Sequence, residues 1–327
     1  TQCNWLGAAY KYAHRIVDAM MVDARRGASV IATDATGAPV KGQGGTDKWH
    51  VFVFIADNGH IVFQHTPKHT NNAVAGMLRG FRGVLLADGS SVYDALYVAH
   101  EDQPPPMTES GCWAHMRRYV WKALPSARER ACEGLAIIRR LFKVEDACKG
   151  TPMPGKTKER ADMATPLVEL YSRWIADIDQ HADPRGPLAA VVTYFNNQEQ
   201  ALKRFLVDGK IPIHNNRSEL ELRSLVIGLN NWLYFANETG LKWYTTFRSL
   251  IASCLLHQLN PEEYLEQMLR LVPHWPVTRV LELAPKYWRC TVAGLDERHR
   301  AIVAGPMVLE SRTVASAHAH AVADAAE

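Results

Sequence analysis

The sequence predicts an α/β fold with a large helical part. Three observations predict it. β-rich apolar runs crowd the first third of the 327-residue chain, helical periodicity alone remains after about residue 115, and two of the early runs end in an acid. These two are SVIATD, residues 29–34, and GVLLAD, residues 83–88. An acid at the C-terminal end of a buried strand projects from the sheet edge, where α/β folds carry their chemistry.

Each element follows from its own pattern. WLGAAYKYAHRIVDAMMVDARRG has apolar residues at helical spacing, so residues 5–26 form an amphipathic helix that leads into the strand SVIATD. A Gly-rich loop, GAPVKGQGGTDK, is expected after Asp34. WHVFVFIADNGHIVFQHT then gives two alternating strands joined at Asp57-Asn58-Gly59, where Asn-Gly suits the positive φ of a type I′ turn. Residues 70–80 read as helix, GVLLAD as the next strand, SSVYDALYVAH as a helix, and TESGCWAH as a short fifth strand running into a helix. The order is strand, strand, strand, helix, strand, helix, strand.

From about 115 to 210 only helices are expected: HMRRYVWKAL to FKVEDAC, ERADMATPLVELYSRWIADIDQHA, and PLAAVVTYFNNQEQALKRFLVDG. KGTPMPGKTK and DPRGP break them. Helices resume from Asn216 to about Leu259, and Asn260-Pro261 starts another. The Ala-rich end, SRTVASAHAHAVADAAE, has no core pattern and is expected to be disordered or weakly helical.

Composition limits the function classes. With 47% apolar and 22% charged residues, the chain can bury a sizeable core. No run reaches the roughly 18 apolar residues that span a bilayer, and no signal peptide opens the chain, so a cytoplasmic location with no membrane partner is expected. Six scattered cysteines read as reduced thiols. The chain opens on Thr1, so a further upstream domain is expected.

Asp34 and Asp88, joined by Glu219 from IPIHNNRSELELR, point to a metal-dependent phosphoryl-transfer site. Mg²⁺ prefers hard oxygen ligands and keeps several waters, so a few carboxylates and a phosphate suffice to hold two ions. Two such ions about 3.5–4 Å apart can activate the attacking oxygen and stabilise the leaving one. Other readings stand beside this one. Asp34 and Asp88 can cap turns, and Asn216-x-x-Glu219 fits a helix capping box. Asp57 also ends an apolar run, but Asn58-Gly59 explains it as a turn residue.

Other residues carry weaker signals. Arg117, Arg118, Lys122, Arg128, Arg130, Arg139, Arg140 and Lys143 face only Glu129 and Glu133 in the same stretch. They are either a phosphate-binding surface or a solvated helix face. Asn216, Arg217, Arg223, Lys242 and Arg248 are further candidates for the DNA backbone, while turn and N-cap preferences alone suffice to explain Asn215 and Asn216. Cys112 with His115 and Cys254 with His257 each have the spacing of half a zinc site, although a buried hydrophobe explains Cys254 and a structural role beside the site explains the CWAH block. Trp121, Trp174, Trp232 and Trp243 read as core. His318 and His320 in the tail are incidental.

GVLLADGSSVYDAL, GCWAHMRR, IPIHNNRSELELRSLVIGLNNWLYF, SLIASCLLHQLNPEEYLEQML and VLELAPKYW together resemble the successive blocks of insertion-sequence-66-type transposases, over about residues 5–288. Ala35, His214, Leu220, Leu229 and Asn230 depart from that pattern, each standing where a charged residue is usual. The resemblance implies a ribonuclease-H-like mixed sheet with a large all-helical insertion and a helical C-terminal region. Its organisation would be a helical lead-in (1–28), the first part of the core (29–114), the insertion (115–210), core helices carrying the third acid (211–259), a C-terminal helical region (260–290) and a disordered tail (291–327).

The resemblance also implies a DDE-type transposase in which Asp34, Asp88 and Glu219 are catalytic and hold two Mg²⁺, replaceable by Mn²⁺. By analogy with similar enzymes, Asp34 would bridge both ions. Its partners would be terminal inverted repeats, target DNA, a second copy of the chain in the DNA complex and accessory proteins of the element. Arg117, Arg118, Lys122, Asn216, Arg217, Arg223 and Lys242 would contact DNA. Two alternatives remain: a catalytically inactive DNA-binding relative, and a nuclease of the same fold that does not join ends.

Overall fold

A computed structural model describes residues 2–42, 44–99, 104–181 and 183–305. The three apolar alternating segments form β1 (Val30–Gly42), β2 (Gly45–Ala56) and β3 (His60–Thr66), two successive antiparallel pairs. β4 (Val84–Leu86) joins the other side of β1 in parallel, and β5 (Thr108–Ser110) joins β4 in parallel. The sheet order is β3-β2-β1-β4-β5.

Two local expectations change. The segment expected as a Gly-rich loop after Asp34 is strand. β1 pairs with β2 out to Gly42 opposite Gly45, and glycine accommodates the φ of 148° at Gly45. Asp34 therefore lies within β1, opposite Val53, rather than at its end. It does lie just past the last residue paired with β4, Ala32 opposite Leu86, so it still marks the C-terminal end of the parallel part. Pro39 is tolerated because it lies beyond that part, where its carbonyl accepts the Phe235 N–H at 2.8 Å.

The turn between β2 and β3 is also not the two-residue type I′ form. Ala56 pairs with His60, leaving a three-residue loop closed by Gly59 N–H to Ala56 O at 3.0 Å, with Gly59 alone at positive φ (97°). Asp57 accepts the Ser29 N–H at 2.9 Å, which confirms it as a turn residue.

The helices follow the periodicity. They are α1 (Gln2–Gly27), α2 (Asn71–Met77), α3 (Trp113–Ala123), α4 (Arg128–Ala147), α5 (Gly155–His181), α6 (Ala189–Lys203), α7 (Asn216–Trp232), α8 (Glu238–Leu256), α9 (Pro261–Leu271), α10 (Pro285–Ala293) and α11 (Glu297–Ala304). SSVYDALYVAH is shorter than expected: a 3-10 turn covers Ser91–Leu96, and the chain returns to β5 as Met107 N–H meets Leu96 O. α9 starts as expected, with Asn260 accepting the Glu262 N–H and Pro261 at the first position. The tail expected from 291 begins as structure instead. α11 is capped by Asp296, and Arg270 donates to Val303 O at 2.8 Å. His318 and His320 lie outside the described residues.

Three apolar clusters organise the fold. The first packs α1, α2, α9 and α10 around Ile31, Phe52 and Phe54 on one sheet face. The third sets α7 (Leu222, Leu225) and α8 (Leu241, Ala252) against Ala38, Val40, Val51 and Val53 on the other. The second is the core of α3 to α6, built around Trp113 and Tyr171, and it includes Val30 of β1. The helical stretch is thus anchored on the sheet.

α8 also solves the edge problem of β3. Ser249 and Ser253 lie one helical turn apart and accept the Phe63 and Ile61 N–H groups at 2.8 and 3.1 Å, while Ser253 donates to Ile61 O. Among the described residues, no helix is long and apolar enough to cross a membrane.

Candidate active site

Alternation along β1 puts Asp34 on the same sheet face as Val30 before it and Ala38 and Val40 after it. Val30 belongs to the core of α3 to α6, whereas Ala38 and Val40 belong to the cluster under α7. Asp34 therefore sits where two helical layers meet. Asp88 follows β4 by two residues and accepts the Ser90 N–H at 3.0 Å, an Asx turn that fixes the loop. Tyr194 of α6 donates to the Asp88 carbonyl at 3.3 Å.

Glu219 comes from the first turns of α7. The N-cap is Asn215, not Asn216, so Glu219 is the fourth residue of the helix and the capping-box reading fails. Its carboxylate turns instead to α3. Arg118 Nη2 donates to both oxygens at 2.9 and 3.0 Å, and His115 Nε2 lies 3.5 Å away.

The three acids share one electrostatic field. Burial, and then the charges of Asp88 and Glu219, push the Asp34 carboxyl up to about 6, against the Ala35 N–H it accepts at 2.8 Å and the Arg118 guanidinium. Burial and Arg118 lower the His115 pKa, which Asp88 and Glu219 oppose. An Asp pushed up beside two more acids, with one arginine in compensation, is a donor set suited to a hard cation. As the side chains stand, no three His, Cys, Asp or Glu among the described residues converge closely enough to hold an ion. Glu219 is paired with Arg118, whose charge opposes a cation at that carboxylate.

Asn215 is the residue that sequence reasoning undervalued. It makes no cap with its side chain; its Nδ2 donates to Thr33 O at 2.6 Å, and its backbone N–H donates to Cys112 Sγ at 3.2 Å. One residue thereby ties α7 to β1 and to the start of α3. Its Oδ1 is buried without a partner, as are Ser218 Oγ three residues on and His115 Nδ1 of α3. Arg160, 1% exposed, gives further support. It donates to the carbonyls of Phe205, Asp208 and Ile211 at 2.8–3.2 Å and to Glu145 at 2.8 Å, which fixes the segment leading into α7. A buried arginine has no periodic signature, and so no sequence signal marked it.

The expected basic residues divide. Arg117, Arg118 and Lys122 lie on the exposed face of α3, and Asn216, Arg217 and Arg223 are exposed on α7 beside or one turn beyond Glu219. Lys242 is elsewhere: it pairs with Glu238 at 2.6 Å and lines a cleft with Tyr10, His14 and His65 on the β3 side of the sheet. Arg248 is a tie between helices, bonded to Glu221 at 2.9 Å. On α4, Arg139, Arg140 and Lys143 form an exposed face.

The two zinc half-sites do not combine. Cys254 lies in the first core cluster, and His257 Nε2 donates to Gly59 O at 2.7 Å, holding the β2–β3 turn. Trp113 is buried and donates to Leu202 O at 2.8 Å, in keeping with a structural CWAH block. Trp174 is core as expected, but Trp121 and Trp232 are exposed.

A model of the Transposase IS66 family matches residues 1–243. Among curated relatives, the uncharacterized protein y4qI of Sinorhizobium fredii is 25% identical over 296 residues, which cover 86% of this chain and 55% of that protein. The uncharacterized protein y4hP of the same organism is 25% identical over 239 residues, covering 69% of this chain and 42% of that protein. The chain thus spans about half the length of these relatives.

Proposed function

The chain belongs to the Transposase IS66 family, and from that premise we propose that it carries the catalytic part of a DDE-type DNA transposase, cleaving at the ends of an insertion sequence and joining the freed 3′-OH to target DNA. The observation that carries this reading is the coupling of three carboxylates from β1, from the loop after β4 and from the start of α7. The sheet order β3-β2-β1-β4-β5, antiparallel on one side of β1 and parallel on the other, supports a ribonuclease-H-like core.

Asp34, Asp88 and Glu219 would hold Mg²⁺, or Mn²⁺ in its place. Bound there, two such ions would activate the attacking oxygen and stabilise the leaving one in an in-line displacement. The remaining work belongs to the chain. Asn215 fixes the helix of Glu219 to the strand of Asp34. Arg118 holds Glu219 until the site is filled and then becomes free to meet a phosphate oxygen. Arg117, Lys122, Asn216, Arg217 and Arg223 offer exposed contacts for the DNA backbone around the acids. Hydrolysis frees a 3′-OH at the element end, and that hydroxyl takes the place of water in the second displacement. One site therefore serves both steps without a covalent protein intermediate. Two ends must be held together, which calls for a dimer in the DNA complex.

The test is incubation of the purified chain with labelled terminal inverted-repeat DNA and a plasmid target, with Mg²⁺ or Mn²⁺. Metal-dependent nicks at the element end and joined products are expected. Binding without cutting identifies the inactive DNA-binding relative, and cutting without joining identifies the nuclease.

A further inference from the structure

Trp121 is 59% exposed, although it lies on a helix whose other tryptophan, Trp113, is fully buried. A solvated helix face does not need an indole, and leaving this much of one in water forgoes the gain of burying it. Its neighbours are informative. The exposed positions of α3 include Arg117, Arg118, Trp121 and Lys122. At i+4 from Arg117 and i+3 from Arg118, the indole is their neighbour on the helix surface. Arg118 in turn holds Glu219 at 2.9 Å, so the ring stands one helical turn from the arginine that grips an acid of the candidate site.

An exposed aromatic face between cations recognises one class of ligand well. Phosphates neutralise the cations while a base stacks on the ring, which is how proteins bind single-stranded nucleic acid. We propose that Trp121 is a base-stacking residue for an unpaired nucleotide of the substrate DNA strand. The strand passes along α3 with its phosphates on Arg117 and Lys122. Lys122, whose Nζ lies 5.7 Å from the Tyr119 ring, stays exposed for that contact. This deepens the transposase reading and rests on it, because the strand must run past the acids.

Binding of a short single-stranded oligodeoxynucleotide, and of the same sequence as duplex, by the full chain over a salt series tests the proposal. Trp121→Ala should weaken single-strand binding roughly tenfold or more with the salt slope unchanged, whereas Trp121→Phe should stay within a few-fold of the parent. Arg117→Ala and Lys122→Ala should instead each flatten the single-strand salt slope by about 0.7. Circular dichroism of the variants establishes that they fold.

The proposal is overturned if Trp121→Ala binds single strands as the parent does, if the Phe variant is as weak as the Ala variant, or if Trp121→Ala alters only self-association. In each of those cases a DNA-binding parent leaves the transposase reading standing. A parent that binds neither probe overturns both.

Discussion

Arg118 and Glu219, 101 residues apart in the chain, are joined by one guanidinium nitrogen that meets both carboxylate oxygens at 2.9 and 3.0 Å. The pair links α3 to α7 directly over the sheet face that carries Asp34. It also sets a positive charge against the third acid, which opposes a cation there.

Arg118→Gln should therefore raise divalent-cation affinity. Removing a positive charge a few ångströms from a cation site is worth roughly five- to tenfold at an intermediate dielectric. Electron paramagnetic resonance titration of Mn²⁺ without DNA measures it. Unchanged or weaker Mn²⁺ binding would contradict the assigned role of Arg118.

The pH dependence of stability follows from Asp34. Its folded pKa, pushed up to about 6, exceeds the ordinary 3.8, so the stability it contributes is fully present below 3.8 and is lost as pH rises through about 6. Asp34→Asn should then be more stable than the parent near pH 8, by on the order of 1 kcal/mol after allowance for solvent screening of a half-buried group. The difference should vanish near pH 4. Metal-free denaturant melts at the two pH values check this.

Ser249→Ala removes the acceptor of the Phe63 N–H on the edge strand. Leaving that buried donor unpaired should cost about 1–3 kcal/mol. The loss should appear in thermal melts, without change in Mn²⁺ binding.

Arg160→Met breaks the contacts to Phe205, Asp208, Ile211 and Glu145 together. About 3 kcal/mol of destabilisation is expected, because three carbonyls lose their donor and Glu145 keeps only Lys156, at 3.3 Å, as a partner. Because the segment feeds α7, hydrogen exchange of the Ile213–Ser218 amides should also accelerate.

Much of this fold was legible because its signals are local. Period-2 alternation marked β2 and β3, and helical periodicity marked α1 and α3 to α9. The sequence misled where pairing partners override propensity. Glycines 42 and 45 read as a loop but close a long hairpin, and Asp57-Asn58-Gly59 joins β2 to β3 as read but not as a type I′ turn, since Gly59 alone takes positive φ. Of the site, Asp34, Asp88 and Glu219 were legible as acids after apolar runs or near a helix start. Asn215, which bonds Thr33 across 182 residues, and the hold of Arg118 on Glu219 were not, since both exist only once distant segments meet. Trp121 read as core because its spacing on α3 is amphipathic, yet it lies on the polar side.

Strand transfer by the carboxamide variants tests the central claim most directly. Asp88→Asn and Glu219→Gln keep shape and remove charge, so both should fold and bind element-end DNA. With Mg²⁺ or Mn²⁺, both should fail to cut and to join it, while the parent should do both. Products from either variant at the parent's rate would contradict the three-carboxylate site.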